Sequence, residues 1–516
     1  MLPRTIGFLV ALLLVFLNPC LFAADRVAVK PKASRERRLA PELDLVRHVD
    51  CEFVGVCRRG KSMYNVSQEH STRVQSMSVA VHDDPALVGI KGSRLLINYD
   101  AQAGKPAPAT LQAAGLNLVE DYEHGSFLLV EPDGNITAHT VNTLLDDDAV
   151  LYAEPDYMVT TAPVSQVAEP QPTISSTVPN DPFLSQLWGM NSIRALQVWP
   201  TYRDSSKVIV AVIDTGVDYT HPDLKANMWK SADGKHGFDF FDDDDDPMDE
   251  QNHGTHCAGT IAGVGHNGVG VVGVNWKARI MAMRFLGPDG TGSTSDAVKC
   301  IDWAVANGAH ILSNSWAGRE TSPALVEAIT RAEKRGVLFV AAAGNTEGGN
   351  NNDNVPYYPA AHDNANIITV AAIDSKDAVG SFSHYGRKSV DIGAPGVQIV
   401  STVRNNQYDR YDGTSMAAPH VAGAAALVWS KTVESPAQDP AQMMMVRDLI
   451  YANARAVPAL KGLWGYTAPA KIPGGVLDIS FLVTTPPGGW PSPIKIPAGR
   501  QTLVERRMKV DPSLLR

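Results

Sequence analysis

The chain has 516 residues, too many for one small core, and its length fits about two to four folding units. With 44% hydrophobic and 19% charged residues it has the composition of a soluble globular protein. A net charge of −10 with no long basic stripe gives no reason to expect a nucleic-acid partner, and the basic run Arg26 to Arg38 reads as a solvated linker.

At the N-terminus Arg4 precedes the apolar run Ile6–Leu17, with small residues following at Ala23 and Ala24. That order predicts a secretory signal over residues 1–24, the run being short for a spanning helix; an uncleaved anchor is the alternative. Pro19 before Cys20 does not suit a lipoprotein signal. No later stretch is long and apolar enough to cross a bilayer, so an exported chain without membrane contact after signal removal is expected. Five cysteines are few for a disulfide scaffold. Cys51 and Cys57 are close enough to bridge after export, whereas Cys257 and Cys300 have the apolar surroundings of buried thiols. Two glycosylation-type sequons begin at Asn65 and Asn135.

Residues 25–92 are polar and weakly periodic. Residues 93–163 predict a small α+β unit: strand Arg94–Tyr99, helix Pro108–Ala114, strand Ser126–Val130, helix Ala138–Leu145 and a closing strand Val150–Val159. A Pro-, Ser- and Thr-bearing linker covers residues 164–179. From 180 to 484 short β-branched runs alternate with helical segments: Val208–Ile213, Ile280–Arg284, His310–Ser313, Val337–Ala341, Ile367–Val370 and Val397–Ser401. Strands alternating with helices predict an α/β fold, a mainly parallel sheet with helices on both faces and its site at the strands' carboxyl ends. Residues 485–516 read as an extension without a core.

Three segments place chemically useful side chains where a strand ends or a helix begins. Val208–Ile213 runs into Asp214-Thr215-Gly216, putting a carboxylate at a buried strand end. Alone it is a turn cap; beside an imidazole it can fix the tautomer. In Asn252-His253-Gly254-Thr255-His256 the histidine opens a helix and small residues leave room beside it. A zinc site is not indicated, because HExxH is absent. Gly413-Thr414-Ser415-Met416-Ala417-Ala418-Pro419-His420 puts a serine at the positive mouth of an apolar helix, where the alternative is a simple N-cap. The lipase elbow G-x-S-x-G is not matched, since Ala417 holds its last position. Gly263, Gly265 and Gly268 spell a dinucleotide fingerprint but do not open a helix after a strand.

Taken together and in this order, the three blocks resemble those of the subtilisin-like serine proteases, or subtilases, and the thermitase kind among them, over about residues 180–483. The resemblance implies a subtilisin-like catalytic domain in which Ser415 attacks the scissile carbonyl, His253 carries the proton and Asp214 orients the imidazole. It implies that Asn345 donates to the oxyanion, and that Ser315, Trp316, Ala317 and Gly318, with Ala342 and Gly344, flank an extended protein or peptide substrate. Their apolar walls suggest large apolar or aromatic side chains in the primary pocket. It implies calcium as structural cofactor, held by Asp181, Asp223, Gly265, Asn267, Val269 and Val271, with a second loop at Asp239, Asp242, Asp244 and Asp246; a Gly-rich turn and a solvated acidic loop are the alternatives. The 93–163 unit resembles the pro-domain that serves these proteases as intramolecular inhibitor, and the whole a self-processing zymogen. An unrelated α+β module, or a binding protein on an inactive scaffold, remains the rival reading.

Overall fold

In the computed structural model the described residues are 94–134, 136, 138–161, 179–465, 471–484, 486 and 489–491, with the backbone of strands Leu43–Arg47 and Val54–Arg58. The signal at 1–24, most of the 25–92 segment, the side chains of Cys51 and Cys57, the sequon residues Asn65 and Asn135, most of the 164–179 linker and nearly all of the 485–516 extension lie outside them.

The large unit is built on a nine-stranded sheet. In spatial order its strands are Arg455–Ala456, Gly475–Val476, Ile392–Pro395, Ile367–Ile373, Leu338–Ala342, Ile311–Asn314, Asp204–Asp214, Lys277–Arg284 and Gly237–Asp239. All neighbours run parallel except the first pair. The reason lies in the sequence of the central strand. Val208, Val210 and Val212 enter one apolar cluster, and Ile209, Ala211 and Ile213 the other. A strand apolar on both sides must be covered on both faces, which helices supply. Helix Thr414–Thr432, rich in alanine and buried over most of its length, covers the first face; helices Thr294–Ala306 and Pro323–Arg335 cover the second.

Two expectations change. Val397–Ser401 is no strand of the parallel sheet: Ile399–Val403 forms an antiparallel hairpin with Gln407–Tyr411, and Ile392–Pro395 takes the sheet position. The closing strand of the small unit divides at Asp156 and Tyr157 into Val150–Pro155 and Met158–Thr161.

The small unit is an antiparallel sheet in the order Leu43–Arg47, Val54–Arg58, Val150–Pro155, Leu95–Tyr99, Phe127–Pro132, Leu116–Tyr122, with helices Pro108–Ala113 and Ala138–Leu145. It sits on the N-termini of two helices of the large unit. Glu154 accepts from Ser322 Oγ at 3.2 Å and Ala324 N at 3.0 Å. Asp156 accepts from Ser295 N at 2.9 Å and Ser295 Oγ at 2.8 Å, and pairs with Arg94 at 3.1 Å. Carboxylates at helix N-termini meet otherwise unpaired amides and the positive end of the helix dipole.

Candidate active site

Asp204–Asp214 and Ile311–Asn314 are neighbours whose onward connections within the sheet part: from the first the chain passes to Gly237–Asp239 on one side, from the second to Leu338–Ala342 on the other. Such a switch point opens a crevice at the carboxyl ends of the strands. Asp214 is the last residue of the first of these strands, and helix His253–Ala262 begins beside it. A Cβ at Gly254 would stand 2.1 Å from the Gly216 carbonyl, so only glycine after His253 lets the helix come this close. His253 Nδ1 and Asp214 Oδ1 are 2.7 Å apart, both side chains buried. Thr215 N donates to the same oxygen at 2.8 Å. The opposite ring nitrogen, His253 Nε2, is buried and has no hydrogen-bond partner among the described residues.

Ser415 stands in the first turn of helix Thr414–Thr432. Its Oγ donates to the Ser315 carbonyl at 3.0 Å. Four residues on, Pro419 has no N–H, so the Ser415 carbonyl lacks its usual helical donor. Ser315 Oγ at 3.0 Å and Cys257 Sγ at 3.5 Å fill that place. Cys257 is a free, buried thiol, as is Cys300. Burial first, then the Asp214 carboxylate, pushes the Cys257 thiol well up, which disfavours the nucleophilic thiolate.

Asn345 is anchored by one end. Its Oδ1 accepts from Thr414 N at 2.9 Å, while its Nδ2 is buried and has no partner among the described residues. A Cβ built on Gly413 would lie 3.6 Å from that Nδ2 and 3.5 Å from Ser415 N, so both N–H groups border one small space.

The predicted substrate segments are brought to the same crevice, and a strand of the chain itself lies in it. Met158–Thr161 pairs antiparallel with Thr291–Ser293 on one side and Trp316–Ala317 on the other. Thr161 N donates to Gly290 O at 2.9 Å. Val159 is buried in the apolar cluster that holds Trp316, Phe285 and Leu286, while Met158 and Thr160 are exposed. Gly318 is paired in both directions with Tyr358, and Ala342 ends its strand two residues before Gly344. Gly344 lies against the His384 ring, and Tyr357 meets that ring edge-on at 4.4 Å.

The residues expected to hold calcium form two unlike groups. Asp181 and Asp223, both buried, face the loop 265–271. Asp181 accepts from His266 N at 2.8 Å and Asn267 N at 3.3 Å; Asp223 accepts from Asn267 Nδ2 at 2.7 Å and Val271 N at 2.8 Å. Burial, reinforced by Asp181 against those hydrogen bonds, pushes Asp223 up to about 7. Two buried carboxylates beside a loop that carries the carbonyls of Gly265, Val269 and Val271 suit a hard divalent cation; Asn267, expected to offer its side chain, has its Oδ1 taken by Val269 N at 2.8 Å and its Nδ2 turned to Asp223. In the second loop a guanidinium already stands among the acids. Arg284 pairs with Asp239 at 2.7 Å, Asp242 at 2.9 Å and Glu250 at 2.9 Å. Asp244 Oδ1 accepts from Asp246 N at 2.8 Å, and Asp246 Oδ1 from Tyr219 Oη at 2.7 Å. Arg284 carries no motif and escapes a sequence reading.

Comparison with known proteins agrees with this arrangement. The Subtilase family profile matches residues 205–467. The chain is 40% identical over 299 residues to the thermophilic serine proteinase of Bacillus sp. (strain AK1), covering 58% of this chain and 67% of that one. It is 41% identical over 254 residues to thermitase of Thermoactinomyces vulgaris, covering 49% and 86%. The crystal structure of fervidolysin from Fervidobacterium pennivorans, a keratinolytic enzyme related to subtilisin, superposes with a TM-score of 0.61 at 26% identity, covering 78% of this chain and 62% of that one. The chain belongs to the subtilase family and is a subtilisin-like serine endopeptidase.

Proposed function

We propose that peptide bonds are cut by a triad of Asp214, His253 and Ser415. The observation carrying this is the 2.7 Å bond of His253 Nδ1 to Asp214, which leaves the buried Nε2 with no partner among the described residues. Ser415 Oγ turns from the Ser315 carbonyl to Nε2, gives up its proton there and attacks the substrate carbonyl carbon. The tetrahedral oxyanion is met by Asn345 Nδ2 and Ser415 N, donors already in place before the charge develops. His253 then returns the proton to the leaving amine, and the acyl-enzyme forms. Water, deprotonated by the same nitrogen, hydrolyses the ester and frees Ser415. Asp214 keeps the imidazole oriented and stabilises its protonated form.

The enzyme is made as an exported zymogen whose 93–163 unit is its own inhibitor. The strand Met158–Thr161, lying where an extended substrate would pair, supports this. Burial of Val159 in the cluster of Trp316, Phe285 and Leu286 supports an apolar preference for the side chain at that substrate position. Calcium would sit between Asp181, Asp223 and the 265–271 loop, where it supplies charge compensation and cross-links three segments. Asp239 and Asp242, matched by Arg284, make a poorer site.

Expressing the precursor and sequencing the N-terminus of its product, beside Ser415→Ala, tests the proposal. A product starting between residues 161 and 179, absent from the variant, is expected; identical processing of both would overturn it.

A further inference from the structure

Asp249 lies four residues before His253 and is fully buried. Its Oδ1 accepts from Thr215 Oγ1 at 3.0 Å, Gln251 N at 2.8 Å and Asn252 N at 3.0 Å. Its Oδ2 accepts from Thr255 N at 3.0 Å and Thr255 Oγ1 at 2.6 Å. Every one of these donors is neutral. A buried carboxylate satisfied by neutral groups is costly to fold in.

What it ties is specific. Thr215 directly follows Asp214, and its N–H bonds Asp214 Oδ1, the oxygen that also holds His253 Nδ1. Thr215 Oγ1 accepts from Gly254 N at 2.9 Å, in the first turn of the histidine helix. The other donors, Gln251, Asn252 and Thr255, flank His253 on both sides. Asn252 itself has φ +129°, a conformation L residues rarely adopt, and this strain sits next to the imidazole's own backbone. The Asp249 bond to Asn252 N and the Asn252 Oδ1 bond from Arg404 N at 3.2 Å hold it there.

We propose that Asp249 is a positioning residue: through Thr215 and the amides around His253 it locks the imidazole against Asp214. It touches no substrate and moves no proton. This inference rests on the triad reading above. Misplacement of a catalytic group by about 1 Å costs roughly a hundredfold in rate, so a loosened clamp should appear in kcat.

The test uses full-chain Thr215→Val, Thr215→Ser, Asp249→Asn and Ser415→Ala beside the wild type. Active sites are counted by exhaustive labelling with a fluorophosphonate, so that loss of folded enzyme does not count as loss of turnover. Thr215→Val and Asp249→Asn should lower kcat per labelled site about ten- to a hundredfold, with KM shifted less than about threefold. Thr215→Ser, which keeps the hydroxyl, should return kcat to within about threefold of wild type. The far-downfield proton resonance of the His253–Asp214 bond should broaden or move in Thr215→Val and persist in Thr215→Ser. Equal kcat per site in wild type and Thr215→Val, or equal losses in the Val and Ser variants, would overturn the proposal; this pair decides even if Asp249→Asn does not fold. Activity surviving in Ser415→Ala would instead remove the triad reading beneath it.

Discussion

Ser315 and Ser415 hold each other through a reciprocal pair: Ser415 Oγ donates to the Ser315 carbonyl at 3.0 Å, and Ser315 Oγ donates to the Ser415 carbonyl at 3.0 Å. The second bond exists because Pro419 withholds the helical donor. Ser315→Ala should leave a buried acceptor short of a partner and destabilise the protein by about 1–3 kcal/mol. Adding Pro419→Ala restores an N–H four residues after Ser415 and should recover part of that loss. Denaturant unfolding of both variants in a Ser415→Ala background, which prevents self-digestion, measures this. No recovery in the double variant would contradict the explanation.

Asn345 keeps its oxygen on Thr414 N and presents an Nδ2 with no partner among the described residues. Removal of one such donor in subtilisin costs about a hundred- to a thousandfold in kcat, and Asn345→Leu is expected to do the same here with little change in KM. Steady-state kinetics on a peptide substrate check it. A loss confined to KM would mean that Asn345 binds substrate rather than the oxyanion.

Asp181 and Asp223 bury two carboxylates beside one loop. Calcium should raise the unfolding temperature, by about 2.7 kcal/mol of added stability at a hundred times its dissociation constant. Asp223→Ala should abolish that response. Thermal unfolding of inhibited enzyme with calcium and with chelator is the measurement, and identical curves would contradict a bound ion.

Docking of the small unit should depend on pH. Burial pushes Glu327 up to about 7, with Arg331, Tyr152, Asn98 and Lys334 pulling the other way. Burial likewise raises Glu154, against bonds from Ala324 and Ser322 and with the charges of Glu327 and Asp156 adding to it. An acid raised in the docked state is protonated in both states at low pH and costs nothing there. The cost builds as pH climbs above the ordinary glutamate value of about 4.3. For Glu327 it is complete above about 7. After self-cleavage, more small unit should therefore co-elute with the enzyme at pH 5 than at pH 8, and Glu327→Gln should reduce the difference. Tighter docking at pH 8 would contradict it.

The five central strands of the sheet are legible because each carries an apolar run, as in Val208–Ile213, and helix termini such as Ser415 carry their motif locally; Gly237–Asp239, Ile392–Pro395, Gly475–Val476 and Arg455–Ala456 are too short to give such a run. Val397–Ser401 misled because a β-branched run does not say whether its partner is parallel; the polar segment Gln407–Tyr411 that pairs with it has no apolar pattern. Leu116–Tyr122 was missed for a similar reason, an edge strand exposing Leu118 and Val119. Around the site, His253 and Asp214 announce themselves by motif. Asp249, Arg284 and the His384–Tyr357 contact depend on long-range packing, for which isolated residues give no periodic signal.

The most direct measurement is labelling of the enzyme with a fluorophosphonate, followed by mapping of the adduct. One adduct on Ser415 is expected, absent from Ser415→Ala, which should lose about a millionfold in kcat, the loss known for the subtilisin nucleophile. An adduct on another residue, or peptide cleavage undiminished in Ser415→Ala, would contradict the triad.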